Sequence, residues 1–253
     1  MFKQILRIAV QEAHPVQARG RPPLLSFDDA YDDILRVVRT GMQWRHLQPR
    51  AGVSHTTVFK TMHKWIASDL FRVAYERCLR LYRRRRRPRY CCVDSSFVKN
   101  VYGTDCVGRN PTDRGRMATK LSAGVDDEGI PFSLLCTPAN VSDMRLFEPT
   151  LAAAMLPTPN GTPVYTDKGY DSAFNRRACL AYGYRDRIFR RRTVNGRRTH
   201  AKRGVVERFF SWLDKYRRLI VRYERRVETY MGMTLLACGC LLERRCAMTA
   251  TQA

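Results

Sequence analysis

The chain has 253 residues, 44% of them hydrophobic, enough for one large domain or a core domain with a smaller appendage. Lys and Arg number 46 against 23 Asp and Glu, and the resulting formal charge of +23 points to a polyanionic partner, a phosphate backbone first. No apolar run reaches the ~18–20 residues that cross a bilayer, and nine cysteines without a C-x-x-C pair, beside five histidines that complete no zinc set, exclude a metal knuckle.

The odd cysteine count and the lack of a secretory signal imply reduced thiols and an intracellular protein, cytoplasmic or in the nucleoid of a bacterium, nuclear in a eukaryotic or viral host. Residues 1–25 read as a short amphipathic start followed by a Pro/Gly/Arg linker. Residues 26–82 read as an all-helical domain. Ser26 is placed to cap a helix with Asp29 three residues on, Ile34, Leu35, Val37 and Val38 form its buried stripe, and Gly41 stops it. A second helix follows Ser54, with Val58, Met62, Trp65 and Ile66 on one face and His55, Thr56, Lys60, His63 and Lys64 on the other. Two such helices outline a helix-turn-helix, with His55, Lys60 and Lys64 as DNA contacts; a plain packing bundle is the alternative. Trp44, Trp65 and Trp212 read as core residues rather than base-stacking ones.

A third helix over roughly 69–82 leads to R-R-R-R-R-P-R, residues 83–89, a solvated linker or phosphate-binding strip at a domain boundary. Beyond it the hydrophobic period changes. Strands are predicted over 90–98, 117–125 and 130–136, the last two joined at the D-D-E-G turn. A helix over 144–155, a strand over 163–166, a helix over 172–182, an edge strand near 187–189 and a long helix from 202 towards 221 follow. This order predicts an α/β domain over 90–225 with a mixed sheet flanked by helices, and a C-terminal helix and tail over 226–253.

Three acids stand in settings suited to holding two divalent cations for phosphodiester cleavage. Asp94 lies inside an apolar strand, where a carboxylate needs a cation or a salt-bridging arginine. Asp167 follows a short strand, at the end where ligands bind in open α/β sheets, unless it or Asp171 caps the next helix. Lys168 follows it in a turn that suits a phosphate. Glu207 sits at the edge of a helical stripe of Val206, Phe209, Phe210 and Leu213, with Arg203 four residues earlier as an alternative surface partner.

Together these acids and their surroundings resemble a family. The stretches R-T-G-M-Q-W-R-H-L (39–47), V-D-S-S (93–96), G-V-D-D-E-G-I-P-F (124–132), P-A-N-V-S-D (138–143), Y-T-D-K-G-Y-D-S (165–172) and R-G-V-V-E-R-F-F-S-W-L-D-K-Y-R-R-L (203–219) are similar to those of DDE transposases of insertion sequences. The nearest resemblance is to the insertion-sequence-five group of the insertion-sequence-four superfamily. It implies a ribonuclease-H-like catalytic core, with Asp94, Asp167 and Glu207 as catalytic and metal-holding acids. It also implies two Mg2+ or Mn2+ ions per site, cleavage at element ends and transfer of the freed 3′-hydroxyl into target DNA. Arg203 is the basic residue of the family's Y-x-x-R-x-x-x-E-x-x-x-x-x-x-K signature. The chain departs from that signature at His200, where it has tyrosine, and at Asp214, where it has lysine, with Lys215 one step on.

The segment 185–203 carries nine cations, among them Arg190, Arg191, Arg192, Arg197, Arg198, Lys202 and Arg203, and reads as a strip that tracks a DNA backbone without reading sequence. The implied partners are double-stranded element ends and target DNA, with no membrane. Synapsis of two ends implies a homodimer or higher assembly. A decayed or domesticated DNA-binding protein and a nuclease without strand transfer are the competing functions.

Overall fold

The computed structural model describes residues 1–15, 24–190 and 197–251, without the side chains of 197–201 and 249–251. Four helices come first: α1 (Phe2–Ala13), α2 (Phe27–Thr40), α3 (His55–Ala67) and α4 (Leu70–Arg85). Local sequence signals set their ends. Ser26 Oγ accepts the Asp29 amide at 3.1 Å and Ser54 Oγ the Thr56 amide at 3.2 Å. Gly41 ends α2 with φ of 72°, a left-handed conformation that glycine adopts without cost.

The connection from α2 to α3 differs from the tight turn of a helix-turn-helix. It runs from Gly41 to Ser54 and contains a 3-10 turn, Trp44–His46, that packs on α3 through Trp44 and Phe59. The arginine run also differs from a solvated linker. α4 continues to Arg85, and the fully buried Asp127 carboxylate draws in both Arg86 and Arg89. A buried carboxylate needs such donors.

The remaining elements are β1 (Cys91–Asn100), β2 (Gly108–Arg109), β3 (Met117–Asp126), β4 (Pro131–Pro138), α5 (Asp143–Ala152), β5 (Pro163–Thr166), α6 (Ala173–Ala181), β6 (Arg185–Ile188), α7 (Arg197–Leu213), α8 (Arg217–Ile220), β7 (Val221–Arg222) and α9 (Val227–Thr251). β3 pairs antiparallel with both β1 and β4, while β5 lies parallel to β1 and β6 parallel to β5. Across the sheet the principal strands run β4, β3, β1, β5, β6. That is the mixed, ribonuclease-H-like sheet expected from the sequence, with α7 packed on β1, β3 and β5 and α5 against β3, β4 and β1.

The long helix expected from 202 to 221 begins earlier, at Arg197, and stops at Leu213. The chain then turns through α8 so that Val221 and Arg222 can lie beside Lys99 and Asn100 of β1. α9 is nearly enveloped: Tyr230, Met233, Leu236, Ala237, Cys238 and Leu242 are each at most 1% exposed. It packs on α1, α2, α3 and α4 as well as on β4 and α7, so the C-terminal helix fills the helical region built by the first 85 residues. The fit is close enough that a Cβ on Gly239 would run into the Phe2 ring. No described helix is long and apolar enough to cross a membrane.

Candidate active site

β-Sheet register brings two of the three acids together. Cys92 pairs with Tyr165 across the parallel β1–β5 junction. Asp94 and Asp167 each stand two residues further on, side by side where β5 ends. Cys92 and Asp94 share a sheet face, and Cys92 Sγ donates to the Lys202 carbonyl at 3.3 Å, so that face is covered by α7.

α7 supplies the rest. Arg203, 9% exposed, places Nη2 3.1 Å from Asp94 Oδ2 and Nη1 3.3 Å from Asp167 Oδ1. Glu207 follows one helical turn later, exposed, and its charge reaches the same guanidinium. Arg203 thus spans the two aspartates rather than forming a surface pair with Glu207. Its Nε is buried and has no hydrogen-bond partner among the described residues.

Burial pushes the Asp94 carboxyl above the usual aspartate range, against the pull of the Ser95 amide and Arg203, and the nearby Asp143 adds to the rise. Burial also opposes the Arg203 cation, yet Asp94, Asp167 and Glu207 outweigh it and hold its pKa above the ordinary arginine value. Asp167 additionally accepts the Lys168 amide at 2.7 Å, opening the 3-10 turn Lys168–Tyr170. The cap of α6 is Ser172, which accepts the Asn175 amide at 3.1 Å; Asp171 instead pairs with Arg176. Among the described residues no group of three or more His, Cys, Asp or Glu side chains is arranged as a metal cage. The acids come together around a guanidinium.

A fourth carboxylate escaped the sequence reading. Asp143, at the start of α5, accepts from Ser95 Oγ at 2.7 Å and from Lys120 Nζ at 3.0 Å. Lys120 is itself 3% exposed and lies over Phe97. These groups brace β1 from the face opposite Asp94. The stretch P-A-N-V-S-D marked the position, but nothing in its spacing showed that the aspartate lies behind the first acid.

The expected DNA-contacting cations divide. His55 is half-buried, and Lys60, Lys64, Lys168, Arg190 and Lys215 are exposed. Lys202 donates to the Tyr165 hydroxyl at 2.9 Å and lies over the Tyr90 and Tyr165 rings. Arg197 and Arg198 fall in the first turn of α7, with side chains outside those described; Arg191 and Arg192 lie outside the described residues. Of the tryptophans, Trp65 is buried in the core and Trp44 and Trp212 pack against it. Trp44 and Trp212 are half-buried, and Trp212 carries Arg208 and Arg245 over its ring.

A family model described as the transposase DDE domain matches residues 85–241. A Burkholderia cepacia protein described as a transposase for insertion sequence element IS402 is 36% identical over 148 residues, which cover 56% of this chain and 70% of the relative. The transposase for insertion sequence element IS1106 of Neisseria meningitidis serogroup B is 31% identical over 141 residues, covering 52% and 46%. Among solved structures, the Mos1 transposase paired-end complex with left transposon end is similar at 12% identity and a TM-score of 0.30, over 90% of this chain and 82% of that one. So slight a likeness carries no argument, and the fold rests on the strand order above. With the family model spanning more than half of its residues, this chain belongs to the DDE transposases and is a DNA transposase of the insertion-sequence kind.

Proposed function

We propose that Asp94, Asp167 and Glu207 are the catalytic acids, that they hold two Mg2+ or Mn2+ ions, and that the enzyme cleaves DNA at element ends and joins the freed 3′-hydroxyl to target DNA. The observation that carries this reading is the β1–β5 register together with Arg203, which brings Asp94 and Asp167 to one cation with Glu207 a turn away. The donor set suits the ions: carboxylate oxygens are the ligands that magnesium and manganese prefer, and a cation already stands between the aspartates. When bound, such ions supply an activated nucleophile and a stabilised leaving oxygen.

The protein's own groups do the positioning. Asp94 is fixed by the Ser95 amide, and β1 is braced from behind through Ser95 and Asp143. Arg203 keeps the carboxylates together and can turn towards a phosphate when an ion takes its place. Lys168, Arg190, Arg191, Arg192, Arg197, Arg198 and Lys215 provide charge for the DNA backbone, and His55, Lys60 and Lys64 provide it on α3. Double-stranded ends and target are the partners, and pairing of two ends calls for at least a homodimer.

The test is a cleavage and joining assay on linear DNA carrying the element's own terminal repeats, in magnesium. Asp94→Ala, Asp167→Ala and Glu207→Ala should each reduce product on the order of a thousandfold, several kcal/mol of barrier. The departures at His200 and Asp214 give the competing readings a definite form. Nicks without joined products would identify a nuclease, and tight binding without cutting would identify a DNA-binding derivative.

A further inference from the structure

On the far side of the sheet junction made by β7, the chain builds a second site from residues that the cleavage chemistry does not use. Its foundation is Arg222, fully buried, whose guanidinium donates to the carbonyls of Asp105 (2.7 Å), Glu224 (3.1 Å) and Arg225 (3.0 Å), to Thr119 Oγ1 (2.9 Å) and to the Asp105 carboxylate. These bonds fix the backbone of residues 222–225 and so aim Tyr223 and Glu224.

Those side chains face the helical region across a cavity of about 360 Å³ walled by Trp44, Phe59, His63 and Tyr223. A neighbouring cavity of about 540 Å³ shares Trp44, Arg218 and Tyr223 and adds Tyr102, which is 64% exposed and whose ring lies 6.3 Å from that of Tyr223. Both volumes fall in the range of small-molecule pockets, ~300–1,000 Å³. Arg218 stacks over Tyr223 at 5.1 Å, and Arg225 and Arg226 stand exposed at the rim with no carboxylate within ion-pair distance among the described residues.

Two polar groups in the first cavity are unfinished. Glu224, with a side chain only 4% exposed, accepts from Arg218 Nε at 2.8 Å through Oε1, but its Oε2 is buried and has no partner among the described residues. His63 Nε2 is likewise buried without a partner among the described residues. Unsatisfied buried acceptors are rare because each forfeits a hydrogen bond to water, so an unpartnered carboxylate oxygen on a residue that lines an aromatic cavity calls for a donor from outside.

Aromatic walls, hydrogen-bonding groups at the base and cations at the mouth match one class of ligand. We infer that this cavity takes an unstacked nucleobase of a DNA strand, stacked against Trp44 and Tyr223, hydrogen-bonded to Glu224 and His63, with its flanking phosphates on Arg225 and Arg226. Stacking on aromatic side chains is how proteins hold splayed bases, and a carboxylate accepts from an exocyclic amine. An amine-bearing base such as cytosine is therefore favoured over thymine. The site lies beyond the end of β1, while Asp94 is six residues back along that strand, so the captured base is not at the scissile phosphate. The inference depends on the transposase reading only for its choice of polymer.

The test needs no cutting. Binding of fluorescein-labelled single strands to the full chain is measured by anisotropy in EDTA at about 0.2 M salt, where exposed charge is screened beyond ~8 Å. An oligo(dC) strand should bind about tenfold more tightly than a strand of the same length and charge made of abasic sites, and more tightly than oligo(dT). Tyr223→Ala should weaken oligo(dC) binding about tenfold and leave the abasic strand unchanged; Glu224→Gln should abolish the preference for dC over dT. Equal affinity of the unaltered protein for the abasic and dC strands overturns the proposal, and needs no variant to fold. Loss of magnesium-dependent cleavage with base discrimination intact would count against the catalytic reading alone.

Discussion

Of the arginines buried beside carboxylates, Arg222 and Arg203 are held in opposite ways. Arg222, on β7, gives its hydrogen atoms to three carbonyls, a hydroxyl and Asp105, and every one of its nitrogens has a partner. Arg203, on α7, spans Asp94 and Asp167 with its terminal nitrogens while Nε goes without. The first is a finished network, which gains nothing from a newcomer. The second joins two acids, one of them half-exposed, and leaves a third a turn away in solvent; a small cation could enter by displacing the guanidinium. Satisfaction of hydrogen-bonding capacity separates the scaffold from the site more cleanly than burial does.

Breaking the finished network should have the larger effect on stability. Arg222→Met orphans the acceptors at Asp105, Glu224 and Arg225, and should cost about 3 kcal/mol, a fall in melting temperature of about 10 °C by calorimetry. It should also loosen the loop that carries Tyr223. A melting temperature within a degree or two of the parent would remove the distinction drawn between the two arginines.

Arg203→Gln sharpens the same contrast. Without an added cation the loss of its charged hydrogen bonds should cost about 1–2 kcal/mol, since Asp94 stays half-buried beside Asp167 without a counter-charge. Millimolar Mn2+ should then raise the melting temperature of the variant more than that of the parent, because binding to the folded state alone stabilises it and no guanidinium competes. An equal manganese shift in both proteins would mean that Arg203 and the ion do not share a place.

The smallest effect concerns His63 in the aromatic cavity. Burial, with Arg226 nearby, lowers its pKa below the usual imidazole value. The unfolded chain therefore takes up a proton near pH 6.5 before the folded chain does, so His63 contributes stability above that pH that is lost as pH falls towards its folded pKa. His63→Gln should flatten this acid limb by less than about 1 kcal/mol in denaturation measured at successive pH values. His14 is lowered by burial and Lys64 in the same direction, so the difference between parent and variant is the quantity to follow.

Much of the architecture could be read along the chain because it is local. Ser26 with Asp29, Gly41, Ser54, and the apolar stripe of Val206, Phe209 and Leu213 each signal their element through neighbours within a turn. What failed locally did so for non-local reasons. The helix through 221 was cut short because Arg222 and β7 are claimed by β1 and Asp105. The arginine run lost its linker character because Asp127, some forty residues on, needed two of its members. Asp143 went unassigned because its partners Lys120 and Ser95 come from two other strands. Trp44 packs against the core as expected, but an aromatic residue there gives no sign that its other side faces a cavity.

The sequence by itself determined a basic α/β protein of the DDE transposase kind and singled out three candidate acids, because hydrophobic period, capping residues and compact motifs are written into short stretches of chain. The tertiary structure alone decided that Asp94 and Asp167 end up on neighbouring strands beneath Arg203, and that Glu224 is left with an unanswered oxygen. Those facts depend on strand register and on side chains more than a hundred residues apart, and no local pattern encodes the meeting of groups that touch only once the sheet has closed.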